Sequence, residues 1–292
     1  SIRDKSKINL SKSVISLDEE TVFNGSAAID VASPLEIVLS GTISKVDLNH
    51  FIAETKPEDK VKPLQPVRNA PLNDQPFDFS WLNKLPIQGT ADVALGSFII
   101  GENNFSNVRF KGNFKPGILN VSEASAASSR IQVAGRASID ARGQKPMLVI
   151  AANFGKLNTA DFLKPKPVGA EKTEATETKG KGKERWAQEP FDLSFFRKIN
   201  FDITANTPSL THEKLVLDNV SLKAYVEDNK LMVDSLTSGL FGGKVNIKAS
   251  LAAAAVPEVS VGFSGSDIDA YKLMTSLSDN DRVQGKVSVT GS

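Results

Sequence analysis

The sequence contains no cysteine and only two histidines, His50 and His212. Without thiols there is no disulfide, no thiol nucleophile and no cysteine-based zinc site. The two histidines are far apart, and neither has a cluster of possible partners around it, so each is interpreted as a surface residue. Cysteine and histidine ligands for zinc are therefore absent or scarce, and we expect no metal and no cofactor.

Long apolar runs are also missing. No wholly apolar stretch is longer than Leu251 to Val256, whereas a membrane-spanning helix needs roughly 20 apolar residues. The first residues, Ser1-Ile2-Arg3-Asp4, lead into polar sequence and do not resemble a signal peptide. We expect a soluble piece of a longer protein.

Charge of one sign is not in excess. The 292 residues include 35 Lys and Arg against 34 Asp and Glu, and the net charge of +1 gives no basic footprint for nucleic acid. Hydrophobic residues make up 40% of the chain, which is enough for a packed structure of one large or two ordinary domains.

The stretch SGLFGGKVNIKAS, Ser238 to Ser250, is the one candidate phosphate-binding motif. A P-loop needs Ser or Thr after its lysine and a helix that begins there, but Val245 follows Lys244 and the next residues alternate like a strand. We interpret Gly242 and Gly243 as a turn or bulge between two strands, because glycine accepts positive φ.

Signatures of catalysis are equally weak. The stretch GFSGS at Gly262 has the wrong spacing for a nucleophile elbow. The adjacent carboxylates Glu19 and Glu20 lie in polar, turn-like sequence, where solvation explains them. We therefore predict that the chain is not an enzyme.

Internal repeats are the most informative feature that is present. FDFSWLNKLP begins at Phe77 and FDLSFFRKIN begins at Phe191, and three further matched pairs lie 112 residues apart, such as NVRF at Asn107 and NVSL at Asn219. The pattern predicts the C-terminal part of one repeat at 1–54, full repeats at 77–163 and 191–277, and the start of another at 278–292.

Two connectors separate these repeats. Eight of the 14 prolines fall in or beside the predicted linkers 55–76 and 164–190, and the second linker mixes lysine with glutamate without apolar periodicity. Its lysines at 179, 181 and 183 are an alternative contact for anionic lipid headgroups. We interpret the segment as solvated, because glutamates alternate with them.

Alternation of apolar and polar residues dominates each repeat and predicts antiparallel strands with one apolar and one wet face. The helical candidates are only one or two turns long. The predicted fold is mainly β: an elongated antiparallel repeat sheet, bent into a groove with an apolar interior, with few short helices. The residues predicted to line the groove are Val108, Phe110, Phe114, Ile131, Val133, Ile139, Leu148, Ile150, Phe154, Val220, Leu222, Val226, Val245, Ile247, Leu251, Val259, Val261 and Phe263.

Such a face must be covered, and the predicted helices are too few and too short to cover it. The sheet can fold over to leave an apolar trough, a plausible bed for acyl chains, or it can close as an ordinary core. Periodicity does not separate these two structures.

Three stretches together resemble the C-terminal repeats of the AsmA family: PFDLSFFRKINFDI, the segment from Leu215 to Leu251, and RVQGKVSVTGS. LFGGKV resembles the aromatic-Gly-Gly strand corner of that family. The repeat that begins at Phe77 departs from it at Ser128-Ser129-Arg130, where the double glycine is absent.

The resemblance implies a periplasmic protein of a Gram-negative envelope, held in the inner membrane by an N-terminal anchor and related to TamB-type lipid carriers. It implies phospholipid or another acyl lipid as ligand, and phospholipid movement between inner and outer membrane in support of outer-membrane biogenesis. The alternative is an assembly factor or scaffold whose partners are outer-membrane β-proteins, bound through strand edges.

Overall fold

A computed structural model describes residues 7–16, 20–31, 34–47, 49, 80–101, 103–162, 193, 195–253, 257–278 and 282–292. The fold is mainly β, with 73% strand in this part of the chain and few short helices, as predicted. Both predicted linkers, 55–76 and 164–190, lie outside the described residues, and the repeat boundaries stay a prediction.

Fifteen strands form one open sheet in which neighbours in sequence are mostly neighbours in space. The short strand β9 pairs with β10 beside the main path. The strands are β1 Lys7–Ser16, β2 Val22–Asp30, β3 Leu35–Asp47, β4 Ile87–Ile100, β5 Asn103–Lys115, β6 Ile118–Ala127, β7 Gln132–Asp140, β8 Met147–Phe154, β9 Leu157–Asn158, β10 Asn200–His212, β11 Leu215–Glu227, β12 Lys230–Leu240, β13 Gly243–Ala252, β14 Glu258–Asp269 and β15 Lys286–Gly291.

The sheet is mixed, whereas the sequence predicted antiparallel pairing throughout. Strands β4 to β8 and β10 to β14 pair antiparallel, but β3 pairs parallel with β4 and β8 pairs parallel with β10. In a run of five antiparallel strands, the fifth runs in the same direction as the first. The chain must therefore cross back to the end of the sheet where the fifth strand began before a parallel neighbour can follow. The third junction, between β14 and β15, is not parallel like the first two, because β15 pairs antiparallel with β14.

The repeat period reappears in the hydrogen-bond register. The β5–β6 pairing shifts between Ser106 and Arg109, and the β11–β12 pairing shifts between Asp218 and Ser221, 112 residues later. Asn107 and Asn219 lie in these shifts and have φ of 52° and 49°. Bulges with an extra residue in a left-handed conformation bend a strand locally. We call β4 to β8 the first unit and β10 to β14 the second unit. The two units therefore have equivalent bulges as well as equivalent strands.

Helices are short and lie at strand ends. In the described residues they are α1 Ser80–Lys84, α2 Phe195–Lys198 and α3 Ala270–Ser278, with a 3₁₀ turn at Thr159–Asp161 and a further 3₁₀ residue at Asn49. Asn83 Nδ2 donates to the carbonyl oxygen of Ala141 at 2.9 Å, and Arg197 Nε donates to that of Ala253 at 3.0 Å. The first two helices are thus fastened at equivalent places in the two units. No helix in the described ranges is long and apolar enough to cross a membrane.

The turn between β12 and β13 consists of Phe241 and Gly242, with φ of 49° and 81°. Two consecutive residues of positive φ form the turn type that suits a two-residue hairpin. Gly243 begins β13 and is buried. Gly242 therefore supplies the turn, and Gly243 allows the close approach of β14.

Substitution of Gly243 with alanine should destabilise the protein more than the same change at Gly242. A Cβ at Gly243 would lie 2.4 Å from the carbonyl oxygen of Ser266, whereas a Cβ at Gly242 meets nothing within 4 Å. We expect Gly243→Ala to lower the free energy of unfolding by about 2–3 kcal/mol and Gly242→Ala by about 1 kcal/mol, through its positive φ alone. Urea denaturation measures both, and equal losses would contradict a close approach at Gly243.

A small core lies where α2 meets the sheet. Ile199, Phe201 and Val226 are buried there, and Val226 is only 2% exposed. The rings of Phe195 and Phe196 lie 6.1 and 6.4 Å from that of Phe201. Aromatic packing of this kind stabilises beyond the area it buries. The helix therefore covers one end of the strands of the second unit.

Candidate functional site: the apolar face of the sheet

Apolar side chains form continuous rows across the strands, because register places apolar residues opposite one another in pair after pair. Row 1 begins with Ile8 opposite Ile29 and ends with Leu251 opposite Val259. Its members are Ile8, Ile29, Ile37, Gly89, Phe114, Leu119, Ile139, Leu148, Phe201, Val226, Leu231, Leu251 and Val259.

Two further rows run beside it on the same face. Row 2 contains Leu10, Ala27, Leu39, Ala91, Gly112, Val121, Ala137, Ile150, Ile203, Ala224, Val233, Ala249 and Val261. Row 3 contains Gly25, Gly41, Val93, Phe110, Ala124, Gly135, Ala152, Ala205, Leu222, Leu236, Ile247, Phe263 and Gly291. These three rows are called the apolar face.

Twelve of the predicted groove residues lie in the three rows, so residues from six strands share one surface. Those twelve are Phe110, Phe114, Ile139, Leu148, Ile150, Leu222, Val226, Ile247, Leu251, Val259, Val261 and Phe263.

The other predicted residues lie beyond row 3 or in a turn. Val108 is opposite Leu95, and Val133 is opposite Phe154. Val220 is opposite Thr207 and Val245 is opposite Ser238, so polar side chains begin to mix with apolar ones at this end. Ile131 lies just before β7, in a turn where its backbone N–H donates to Ser128 Oγ at 3.1 Å.

Most of these predicted side chains are neither fully buried nor fully exposed to solvent. Val220 and Val226 are buried, Val259, Val261 and Phe263 are exposed, and the other thirteen are half-buried. A closed core buries its large apolar residues almost completely. The apolar face is therefore partly accessible along its length, and at β14 it is open.

Cover from the rest of the chain is slight. Within the described ranges, the extensive contacts between strands are those between hydrogen-bonded neighbours, so no second sheet lies over this face. The main cover is the cluster around Phe196 and Ile199, which packs on Leu148, Phe201 and Leu231 of row 1. Ile203 of row 2 also packs against this cluster.

The opposite face of the sheet is polar. Asp92 lies 3.5 Å from Arg109 and 3.7 Å from Lys111, and Arg109 lies 3.7 Å from Glu123. These side chains alternate with Val93, Phe110 and Ala124 of row 3. Because exposed ion pairs contribute little stability, their main effect is to keep this face in water.

One carboxylate beside the apolar face has a perturbed pKa. Asp140 follows Ile139 of row 1, and its carboxylate accepts hydrogen bonds from the Arg142 side chain and backbone, which lower its pKa to about 2. Its stabilising effect is present above the ordinary pKa and is lost as pH falls toward about 2. The pair is exposed, so the effect is small. No group of three metal-ligating side chains is found in the described residues.

Sequence reasoning missed several members of the rows, among them Leu119, Leu231 and Leu236. In β12 the apolar residues Leu231, Val233 and Leu236 break strict alternation, because the register shifts between Val233 and Leu236. A bulge moves the next apolar residue by one position. The same offset of three between Val121 and Ala124 in the first unit was the available signal.

The arrangement matches a known family. A family model described as AsmA family matches residues 84–290. The chain belongs to the AsmA family. No curated protein and no solved structure matches it.

Membership of AsmA indicates a role in the cell envelope, in outer-membrane assembly or in lipid transport. AsmA proteins are associated with the envelope. The matched range includes both units from β4 to β15, and hence most of the apolar face.

Proposed function

We propose that this chain is a non-enzymatic lipid-binding protein of the periplasm that moves phospholipid between inner and outer membrane and so supports outer-membrane biogenesis. Acyl chains lie on rows 2 and 3 of the apolar face. In the full-length protein, an N-terminal anchor holds this region at the inner membrane. Outer-membrane proteins are further partners.

The observation that carries the proposal is the continuity of the rows through both parallel junctions. In row 2, Ala137, Ile150 and Ile203 follow one another across the junction of β8 and β10, and Leu39 and Ala91 do so at β3 and β4. A lipid that moves along the sheet therefore meets apolar side chains at every strand. Thirteen strands at a spacing of about 4.8 Å give a path of about 60 Å.

The energetics allow binding and movement together. Burial of a methylene contributes about 0.8 kcal/mol, so an acyl chain of about 16 carbons gains on the order of 10 kcal/mol before ordering costs. A partly open face buries only one side of such a chain and keeps the net gain smaller. Because the positions on a row are all apolar, displacement by one strand exchanges one apolar contact for another, with sizes that range from Gly to Phe.

This function can be tested by analysis of the lipid that co-purifies with the chain. We expect an organic extract of the purified chain to contain phospholipid by mass spectrometry, because α2 covers mainly row 1 of β10 to β14 and no second sheet covers rows 2 and 3 in the described residues. A soluble protein with a wholly polar surface, purified from the same host in the same detergent-free buffer, is the control. A chain free of lipid that also takes up none from phospholipid vesicles would contradict the proposal and favour the assembly factor.

A further inference from the structure

The polar face of the second unit carries a depression of 660 Å³, near the turn of Phe241 and Gly242. It lies across β12 to β15, on the side of the sheet opposite the apolar face, because Lys244 and Asn246 alternate with Val245 and Ile247 in β13. Register places Asn246 opposite Thr237 and Ser264, and Ser264 opposite Thr290. We call it the polar depression.

Its lining offers many hydrogen-bonding groups without partners. The side-chain oxygen of Asn246 is buried and accepts no hydrogen bond. A buried polar atom without a partner costs free energy, so such atoms in proteins usually meet water or a ligand. Within the described part of the chain, no hydrogen bond or ion pair occupies the side chains of Thr237, Lys244, Asn246, Ser264, Ser266 and Thr290.

The charge of the polar depression is positive. Among the described residues, Lys244 is the one ionisable residue in the lining. Asp218 lies opposite Gly239 and outside the lining. Gly239 lies opposite Lys244 and places no side chain in the space, so the backbone itself forms the floor there.

The first unit contains the same depression with different chemistry. A 400 Å³ counterpart is lined by Asn107, Ser125, Gln132 and Ala134, which precede Asn219, Thr237, Lys244 and Asn246 by 112 residues. The fold thus produces the space in both units, through equivalent bulges. Only the second has an ammonium group and a buried amide where the first has Gln132 and Ala134.

We propose that the polar depression binds a phosphate ester of a small polyol, such as glycerol phosphate. The ester's phosphate is held by Lys244 and the hydroxyls of Ser264 and Ser266, and a ligand hydroxyl donates to the side-chain oxygen of Asn246. Inorganic phosphate also carries a P–OH donor, but all its oxygens lie on one phosphorus atom, whereas Lys244 and Asn246 are two residues apart along β13, about 6.6 Å. An ester with hydroxyls on its carbon chain reaches both groups. A neutral polyol leaves Lys244 unpaired.

Calorimetry with glycerol 3-phosphate, inorganic phosphate and glycerol, each titrated into the 292-residue chain, tests the site. We expect glycerol 3-phosphate to bind at least about tenfold more tightly than either fragment, because only the ester satisfies both groups. The double variant K244Q/N246A installs the residues of the first unit and should weaken binding by about tenfold or more while the fold remains. Circular dichroism and the urea midpoint verify the fold.

The matched control is K248Q, which removes a lysine from the same face of β13 outside the polar depression. It should leave binding of glycerol 3-phosphate unchanged. The proposal is overturned if the unmodified chain does not bind glycerol 3-phosphate, if inorganic phosphate binds as tightly, or if K244Q/N246A binds as the unmodified chain does.

Two sources supply this chemistry, a lipid headgroup and a free ester. Competition with vesicles of phosphatidylglycerol and phosphatidylcholine, against vesicles of phosphatidylcholine alone, separates them. Displacement of glycerol 3-phosphate by the first vesicles alone assigns the headgroup, and no displacement by either assigns the free ester. The site does not rest on the apolar face, so Ile247→Glu, which tests the lipid path, should leave glycerol 3-phosphate binding unchanged.

Discussion

Replacement of Ile247 with glutamate should abolish most lipid binding and leave the protein folded. Ile247 lies in row 3 between Leu236 and Phe263 and is half-buried, so a carboxylate there enters the proposed acyl path but still reaches water. An unpaired charge is costly only where water is excluded. We expect the free energy of unfolding to fall by about 1–3 kcal/mol. Bound phospholipid, measured by mass spectrometry of extracts, should fall sharply.

The control is Lys248→Glu, one residue along β13 on the exposed, polar face. It reverses a charge in the same strand, and we expect neither stability nor lipid content to change appreciably. A folded Ile247→Glu protein with normal lipid content would show that lipid does not pass this position. An unfolded one would show that the face is a closed core.

Truncation of Phe201 to alanine should cost much more stability than the same truncation at Phe263, although both rings lie on the apolar face. Phe201 is 7% exposed and packs with Val226 and the rings of α2, whereas Phe263 is 43% exposed. Phe-to-Ala changes in cores cost about 3–5 kcal/mol. We expect a loss in that range for Phe201→Ala and about 1 kcal/mol for Phe263→Ala.

Urea unfolding of the two variants under identical conditions provides the comparison, with unchanged m-values as the check that the transition is the same. The lipid content should follow the opposite order, with the larger loss in Phe263→Ala, because Phe263 adjoins the proposed path and Phe201 lies beneath α2. Equal stability losses would show that the apolar face is as closed at β14 as it is at β10.

The sequence predicted the faces of strands well, because alternation is local. In β11, Val220, Leu222, Ala224 and Val226 share a face in the register, as their spacing indicated. The turns at Pro116–Gly117 and Asp228–Asn229 are equally local, since Pro, Gly, Asp and Asn specify turns by their own φ preferences.

The sequence pattern could not predict which strands are adjacent in the sheet. Strand β10 lies beside β8, and alternation carries no information about which strand is adjacent or in which direction it runs. The apolar periodicity of Ile247 and Phe263 is the same in an open and in a closed structure, so their accessibility also had to come from the fold. The polar depression collects Thr237, Asn246, Ser264 and Thr290 from four strands, and no local motif joins them.

The parallel junctions allow the length of this sheet to change by whole units. Because each unit of five strands starts and ends in the same direction, successive units are related by a shift along the sheet and not by a flip, and their apolar rows stay in phase. Phe201 lies 112 residues after Gly89, so loss of residues 87–198 would bring Phe201 opposite Ile37, the place that Gly89 holds. Duplication or loss of one unit therefore changes the length of the apolar face by a fixed amount and keeps the apolar residues on the same side of the sheet. The reach of such a protein can evolve without redesign of its cross-section.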